Sequence, residues 1–180
     1  MAVTINASTT TGLVQSADTS GIIQFQSNGS TKATLSSSGF SYTGGVLQVV
    51  NSTYATQVDT TSTSYVTTGL SATITPSSSS SKILIIVSNV IRAASLGDCN
   101  WTVFRGTVAG TNLASSGHFV YGTATSGSTT VVTGISINYL DSPATTSATT
   151  YTLGFKSSGV SVSSQHASTT ATMTLMEIAG

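Results

Sequence analysis

The sequence predicts an all-β protein, an antiparallel, jelly-roll-like β-sandwich preceded by a short β-hairpin-rich segment. Three observations predict it. Ser and Thr make up 67 of the 180 residues while Pro numbers only 2, a balance that suits strands and turns and not an extended mucin-like stalk. Apolar residues recur with period two from Val46 onward, and no stretch carries a helical period.

Residues 1–45 are polar, broken by Gly and Ser, and too poor in large apolar residues to bury a core. Within them Gly21 to Gln26 and Thr31 to Ser36 flank "SNGS", whose Asn28-Gly29 pair supplies the positive φ angles of a two-residue hairpin turn. An isolated hairpin is marginal in water. Residues 1–45 therefore read as an attachment segment, with Ile22, Ile23, Phe25, Asn28 and Gly29 as anchor residues.

Residues 46–180 read as the sandwich domain. Thr68, Leu70, Ala72 and Ile74 share one face of a strand, which Pro76 and a serine run end. Ile83 to Ile91 is apolar on both faces, and a sandwich covers one face only. The second face is therefore assigned to contacts between subunits, with Ile83, Ile85, Val87 and Ile91 as the interface residues. Trp101 and Val103 alternate with Thr102 and Phe104, and Phe119 shares a face with Tyr121. Val131, Thr133, Ile135, Ile137 and Tyr139 form the longest alternating set, and Tyr151, Leu153 and Phe155 follow a turn marked by Asp141, Ser142 and Pro143. There Asp141 is expected to cap backbone N–H groups. The whole amounts to about seven or eight strands in about 130 residues, the spacing of a sandwich.

Five basic residues balance five acidic ones. A chain without clustered Lys and Arg has no electrostatic hold on nucleic acid or on an anionic membrane, so neither is expected as a partner. Uncharged strand edges are weakly defended against pairing with other chains, which points to life in an assembly. Cys99 is the only cysteine, which excludes an intrachain disulfide. The opening residues lack a basic and an apolar region, so no secretory signal is expected. The run Ile83 to Val87 is too short to span a bilayer.

Chemistry finds little footing. Ser142, Asp141 and either His118 or His166 supply the residue types of a hydrolytic triad, but no Gly-x-Ser-x-Gly elbow prepares the serine. Two His, one Cys and five scattered acids fall at no metal-ligand spacing. His118 or His166 would serve a metal only if three chains shared it at a symmetry axis. No cofactor and no enzymatic activity are expected. Trp101 and Tyr121 are the candidates for a glycan platform, against the commoner role of a strand Trp in the core.

The stretch "MAVTINASTTTGLVQSADTSGIIQFQSNGSTKATLSSSG" is similar to N-terminal segments of bacteriophage tail-fibre and virion decoration proteins. The blocks "SSKILIIVS", "WTVFRGT", "YLDSPATTSATTYTLGFKSS" and "ATMTLMEIAG" resemble the C-terminal β-domain of the same group, common among phages of aquatic bacteria including cyanobacteria. The resemblance implies a homotrimer in the virion, held to other capsid or tail proteins through its N-terminal segment. It implies a knob that stabilises the particle or meets host-surface glycans through the stretches Ser95 to Asn100, Arg105 to Gly117 and Ser157 to Ser168. The chain lacks the extended shaft and heptads of long tail fibres, so a short fibre or capsid-surface protein is the form implied. A carbohydrate-binding sandwich module is the alternative.

Overall fold

The computed structural model describes residues 20–37, 39–42, 44–93, 97–114, 117–124 and 130–180. These residues contain fourteen strands and one short 3-10 turn, and every strand pairing is antiparallel. The chain divides into two compact units, Met1–Thr43 and Gly44–Gly180.

In the first unit, β1 (Ile23–Ser27), β2 (Ser30–Ser36) and β3 (Gly39–Tyr42) form one sheet in that order. The expected hairpin is present. Asn28 (φ 51) and Gly29 (φ 74) both adopt the left-handed region, the type I′ turn whose twist matches that of the flanking strands.

The second unit is a two-sheet sandwich. One sheet runs β10 (Val120–Ala124), β8 (Gly97–Arg105), β12 (Thr149–Ser157), β6 (Val66–Ile74), with the short β9 (Thr111–Asn112) on β8. The other runs β4 (Val46–Tyr54), β14 (Ala171–Ile178), β7 (Lys82–Ala93), and then β11 (Val131–Asp141) along the far edge of β7. Two short strands, β13 (Val162–Ser164) and β5 (Val58–Thr60), continue the near edge of β7 beyond the end of β14. Asn89 lies where β14 leaves β7 and β13 takes over. Buried there, it donates to Ser164 Oγ (2.7 Å) and accepts from the Gln165 N–H (3.2 Å), so polar groups at the gap in the ladder are satisfied.

The core forms between the sheets, by clean alternation on β6 and β14 and with both faces of β8 and β12 largely buried. Thr68, Leu70, Ala72 and Ile74 are all buried on β6, as their shared face predicts. Trp101 stacks on Phe155 with ring centroids 6.2 Å apart and 16° between planes, and Val103, Tyr151 and Leu153 complete that side. Cys99 is buried on β8, beside β10 on one flank and β12 on the other. From the opposite sheet come Ile83, Ile85, Val87, Ile91, Ile135, Ile137, Met173 and Leu175.

This corrects the assignment of Ile83, Ile85, Val87 and Ile91 to a trimer interface. All four point into the core of their own chain and have almost no exposed surface. The reason lies in the neighbouring strands. Ile85 sits between Tyr139 and Leu175, and Val87 between Ile137 and Met173, whereas the outward Ile86 and Ser88 sit between Asn138 and Thr174 and between Ser136 and Thr172. Cross-strand rows bury together, and the richer apolar rows turn inward.

Candidate functional site

The outward face of β7 keeps its apolar character only in part. Val49, Met176, Leu84 and Leu140 are direct cross-strand neighbours, forming one row over β4, β14, β7 and β11. Leu84 and Met176 are half-buried, while Val49 at 55% and Leu140 at 47% are open to solvent. Val46 and Ile178 extend the patch at one end, where Lys82 lies opposite Ile178. Further along, the rows turn polar through Asn51, Thr174 and Asn138. Asn51 Nδ2 donates to Thr174 Oγ1 (2.9 Å).

The distribution is uneven. Among the described residues of the sandwich, every exposed large apolar side chain belongs to β4 or β11, the two edge strands of the same sheet: Val46, Val49, Val131, Val132 and Leu140. In the other sheet, β6, β8, β9 and β12 expose none. The described apolar exposure of the sandwich thus gathers on one of its two sheets.

The first unit has a second such surface. Register places Ile23, Leu35 and Phe40 in one row and Phe25, Ala33 and Tyr42 in the next, all on the same face. Phe25 and Phe40 meet edge to face (6.0 Å between centroids), and Phe40 lies 6.1 Å from Tyr42. Phe40 is nevertheless 56% exposed, and Ile22, Phe25, Leu35 and Tyr42 are exposed as well. The alternation is a plain one-sided pattern, with Gln24 and Thr34 on the other face. Of the anchor residues expected from sequence, Ile22, Ile23 and Phe25 supply apolar surface, while Asn28 and Gly29 build the turn that creates it. Phe40 and Tyr42 were missed because β3 is too short to show a period, and Leu35 because it is the one large apolar residue of β2.

Three charged residues, Arg105, Asp141 and Glu177, are spent on structure. Glu177, Ile83 and Asp141 lie in one row, with Ile83 between the two acids. Both carboxylates are buried at this end of the sandwich. Asp141 receives Arg105 Nε at 2.8 Å, a second contact from Arg105 Nη2, and the Tyr151 hydroxyl at 2.7 Å. Arg105 and Tyr151 belong to the opposite sheet, so this carboxylate joins the two layers. Burial and the Asp141 hydrogen bond push the Tyr151 phenol far above its ordinary range. Glu177 accepts from Gln48 Nε2 (2.6 Å) and from the backbone N–H and hydroxyl of Ser77 (both 2.7 Å). Burial alone would raise its pKa, but the hydrogen bonds from Gln48 and Ser77 outweigh burial and hold the carboxyl below the usual glutamate range.

These contacts settle the residues that suggested chemistry. Asp141 is tied to Arg105 and Tyr151, which corrects its expected role as a backbone cap and gives it no histidine partner in those bonds. No group of three or more His, Cys, Asp or Glu that could hold a metal occurs among the described residues, His118 and His166 included. Trp101 is fully buried against Phe155, which removes it as a glycan platform. The backbone of Tyr121 lies in β10, and its side chain falls outside the described residues. The three stretches expected as contact loops are partly strand: β8 starts at Gly97, β9 lies within 105–117, and β13 with the turn His166–Ser168 lies within 157–168.

No protein-family model matches the chain, and no curated protein does. Among solved structures, one that it is similar to is the structure of infectious bursal disease virus, Gx strain, at a TM-score of 0.36 and 14% sequence identity. The match covers 86% of this chain and 42% of that one, so the chain spans less than half the length of that neighbour.

Proposed function

We propose that this chain is a non-enzymatic structural subunit of a bacteriophage virion, a capsid-decoration or short tail-fibre protein that works as a homotrimer. The observation that carries the reading is the contrast between its surfaces and its charges. Exposed apolar side chains gather on two faces, while both buried acids are consumed by internal bonds. A chain of this kind is built to be covered by other protein, and its described residues present no prepared nucleophile or base.

In this reading the apolar face of the first unit, with Phe25, Leu35, Phe40 and Tyr42, seats the subunit on a neighbouring virion protein. The row Val49, Met176 and Leu84 packs between the three sandwiches. Display of the sandwich serves particle stabilisation or host adsorption. The order β4-β14-β7-β11 in one sheet and β6-β12-β8-β10 in the other supports a jelly roll, since counting those eight strands along the chain gives 1-8-3-6 and 2-7-4-5. The quoted sequence blocks that resemble phage fibre and decoration proteins support the virion setting.

The test uses full-length protein. Native mass measurement is expected to give trimers, and the double variant Phe25→Glu/Phe40→Glu is expected to keep the sandwich's thermal midpoint while dropping out of virions produced in its presence. A monomer at tens of micromolar (about the range in which weak interfaces still assemble), or full incorporation of the double variant, would count against the proposal.

A further inference from the structure

The edge strand β11 lacks the protections that strand edges normally carry. It pairs with β7 over eleven consecutive positions, from Val131 opposite Ala93 to Asp141 opposite Ile83, with no shift of register. Its other edge has no ladder partner among the described residues. The other long edge strands are interrupted, with a register shift where β6 meets β12 and another where β4 meets β14. Bulges, prolines and charges are the usual means of blocking such an edge. β11 has no proline, and its single charge, Asp141, is buried in the ion pair with Arg105.

The side chains are also self-complementary. Val132, Gly134, Ser136, Asn138 and Leu140 point outward and are exposed. In an antiparallel pairing of two copies with Ser136 opposite Ser136, Val132 meets Leu140 and Gly134 meets Asn138. On the inward face Ile135 meets Ile137. The exposed apolar residues Val132 (50%) and Leu140 (47%) cover each other at both ends of the ladder, and no like charges are opposed.

We infer that β11 is a docking edge for β11 of a second copy, joined across a two-fold axis with Ser136 at its centre. The union makes one eight-stranded sheet, β4-β14-β7-β11 continued by the same four strands in reverse order. Such a contact is isologous and closes on itself. It stands independently of the virion reading. If subunits also form trimers, the two-fold links one trimer to the next.

The experiment uses the full chain with single cysteines on the outer face, against the background of buried Cys99. Under mild oxidation with diamide, Ser136→Cys is expected to form disulfide dimers about tenfold faster than Thr172→Cys, since proximity raises the effective concentration of the facing thiol. Thr172 lies on the same outer face, two strands in from the edge. A mixture of Gly134→Cys and Asn138→Cys chains is expected to form mixed dimers faster than either chain alone, which reads the register. Ser136→Lys should lower the dimer population by about tenfold at fixed concentration, the effect of roughly 1.4 kcal/mol, with an unchanged urea midpoint. Equal cross-linking at positions 136 and 172, no preference for mixed dimers, association unaffected by Ser136→Lys, or an edge found filled by a different protein would each overturn the inference.

Discussion

The Tyr151 hydroxyl donates to Asp141 Oδ2 at 2.7 Å, tying β12 of one sheet to the last residue of β11 in the other. Arg105 shares that carboxylate, so two donors from one layer hold one buried acid from the next. Removing either donor leaves the carboxylate short of partners where water cannot replace them. Tyr151→Phe is expected to cost about 1.5–3 kcal/mol, the range for hydrogen bonds to a charged group. Arg105→Ala is expected to cost about 3 kcal/mol, the lower end for breaking a buried ion pair, because the guanidinium is partly exposed. Urea midpoints at unchanged slope measure both, and the double variant should lose less than the sum.

Glu177 gives the fold an acid limit. Its carboxyl is held below the ordinary glutamate range only in the folded chain, so as pH falls the unfolded chain takes up the proton first. The contribution is complete above the ordinary range and is lost as pH drops through the folded value. Urea midpoints between about pH 6 and pH 3 should therefore fall more steeply for the parent than for Glu177→Gln. Parallel profiles would assign the acid sensitivity to other carboxylates.

Trp101 separates a core role from a binding role. With its ring buried and stacked on Phe155, Trp101→Ala is expected to cost about 3–5 kcal/mol through the cavity it leaves. A stable Trp101→Ala protein would contradict that packing.

Gly69 is fixed by its surroundings. Its φ is +86, and a Cβ there would come within 2.4 Å of the Tyr54 ring, which packs on the core. Gly69→Ala should cost about 1–2 kcal/mol for the left-handed backbone alone, plus the displacement of Tyr54. Thermal unfolding of this variant beside Tyr54→Ala/Gly69→Ala separates the two contributions.

Much of this fold was legible in the sequence, and the limits have physical causes. Asn28-Gly29 named its turn because few other pairs adopt two successive left-handed residues cheaply. Leu70, Ala72 and Ile74 named their inner face because the residues between them are polar. The strand from Lys82 to Ala93 was readable as a strand but not as to which side faces in, since Ile85 and Ile86 are equally apolar. That choice is made by Tyr139, Leu175 and Met173, which sit opposite only after folding. β5, β9 and β13, of two or three residues each, are too short to carry a period. The partners of Asp141 were hidden for a similar reason, since Arg105 lies 36 positions earlier and nothing local marks the pair.

The position of Cys99 has a consequence for watching this molecule work. Its thiol is buried in the core between the two sheets, so a thiol-reactive dye can reach it only while the sandwich is open there. Native labelling then becomes a clock for the opening of this layer, a motion of the β8 region in particular. The same dye that reports assembly from an engineered edge cysteine within seconds would report breathing of the sandwich interior, from the natural one, on a far slower scale.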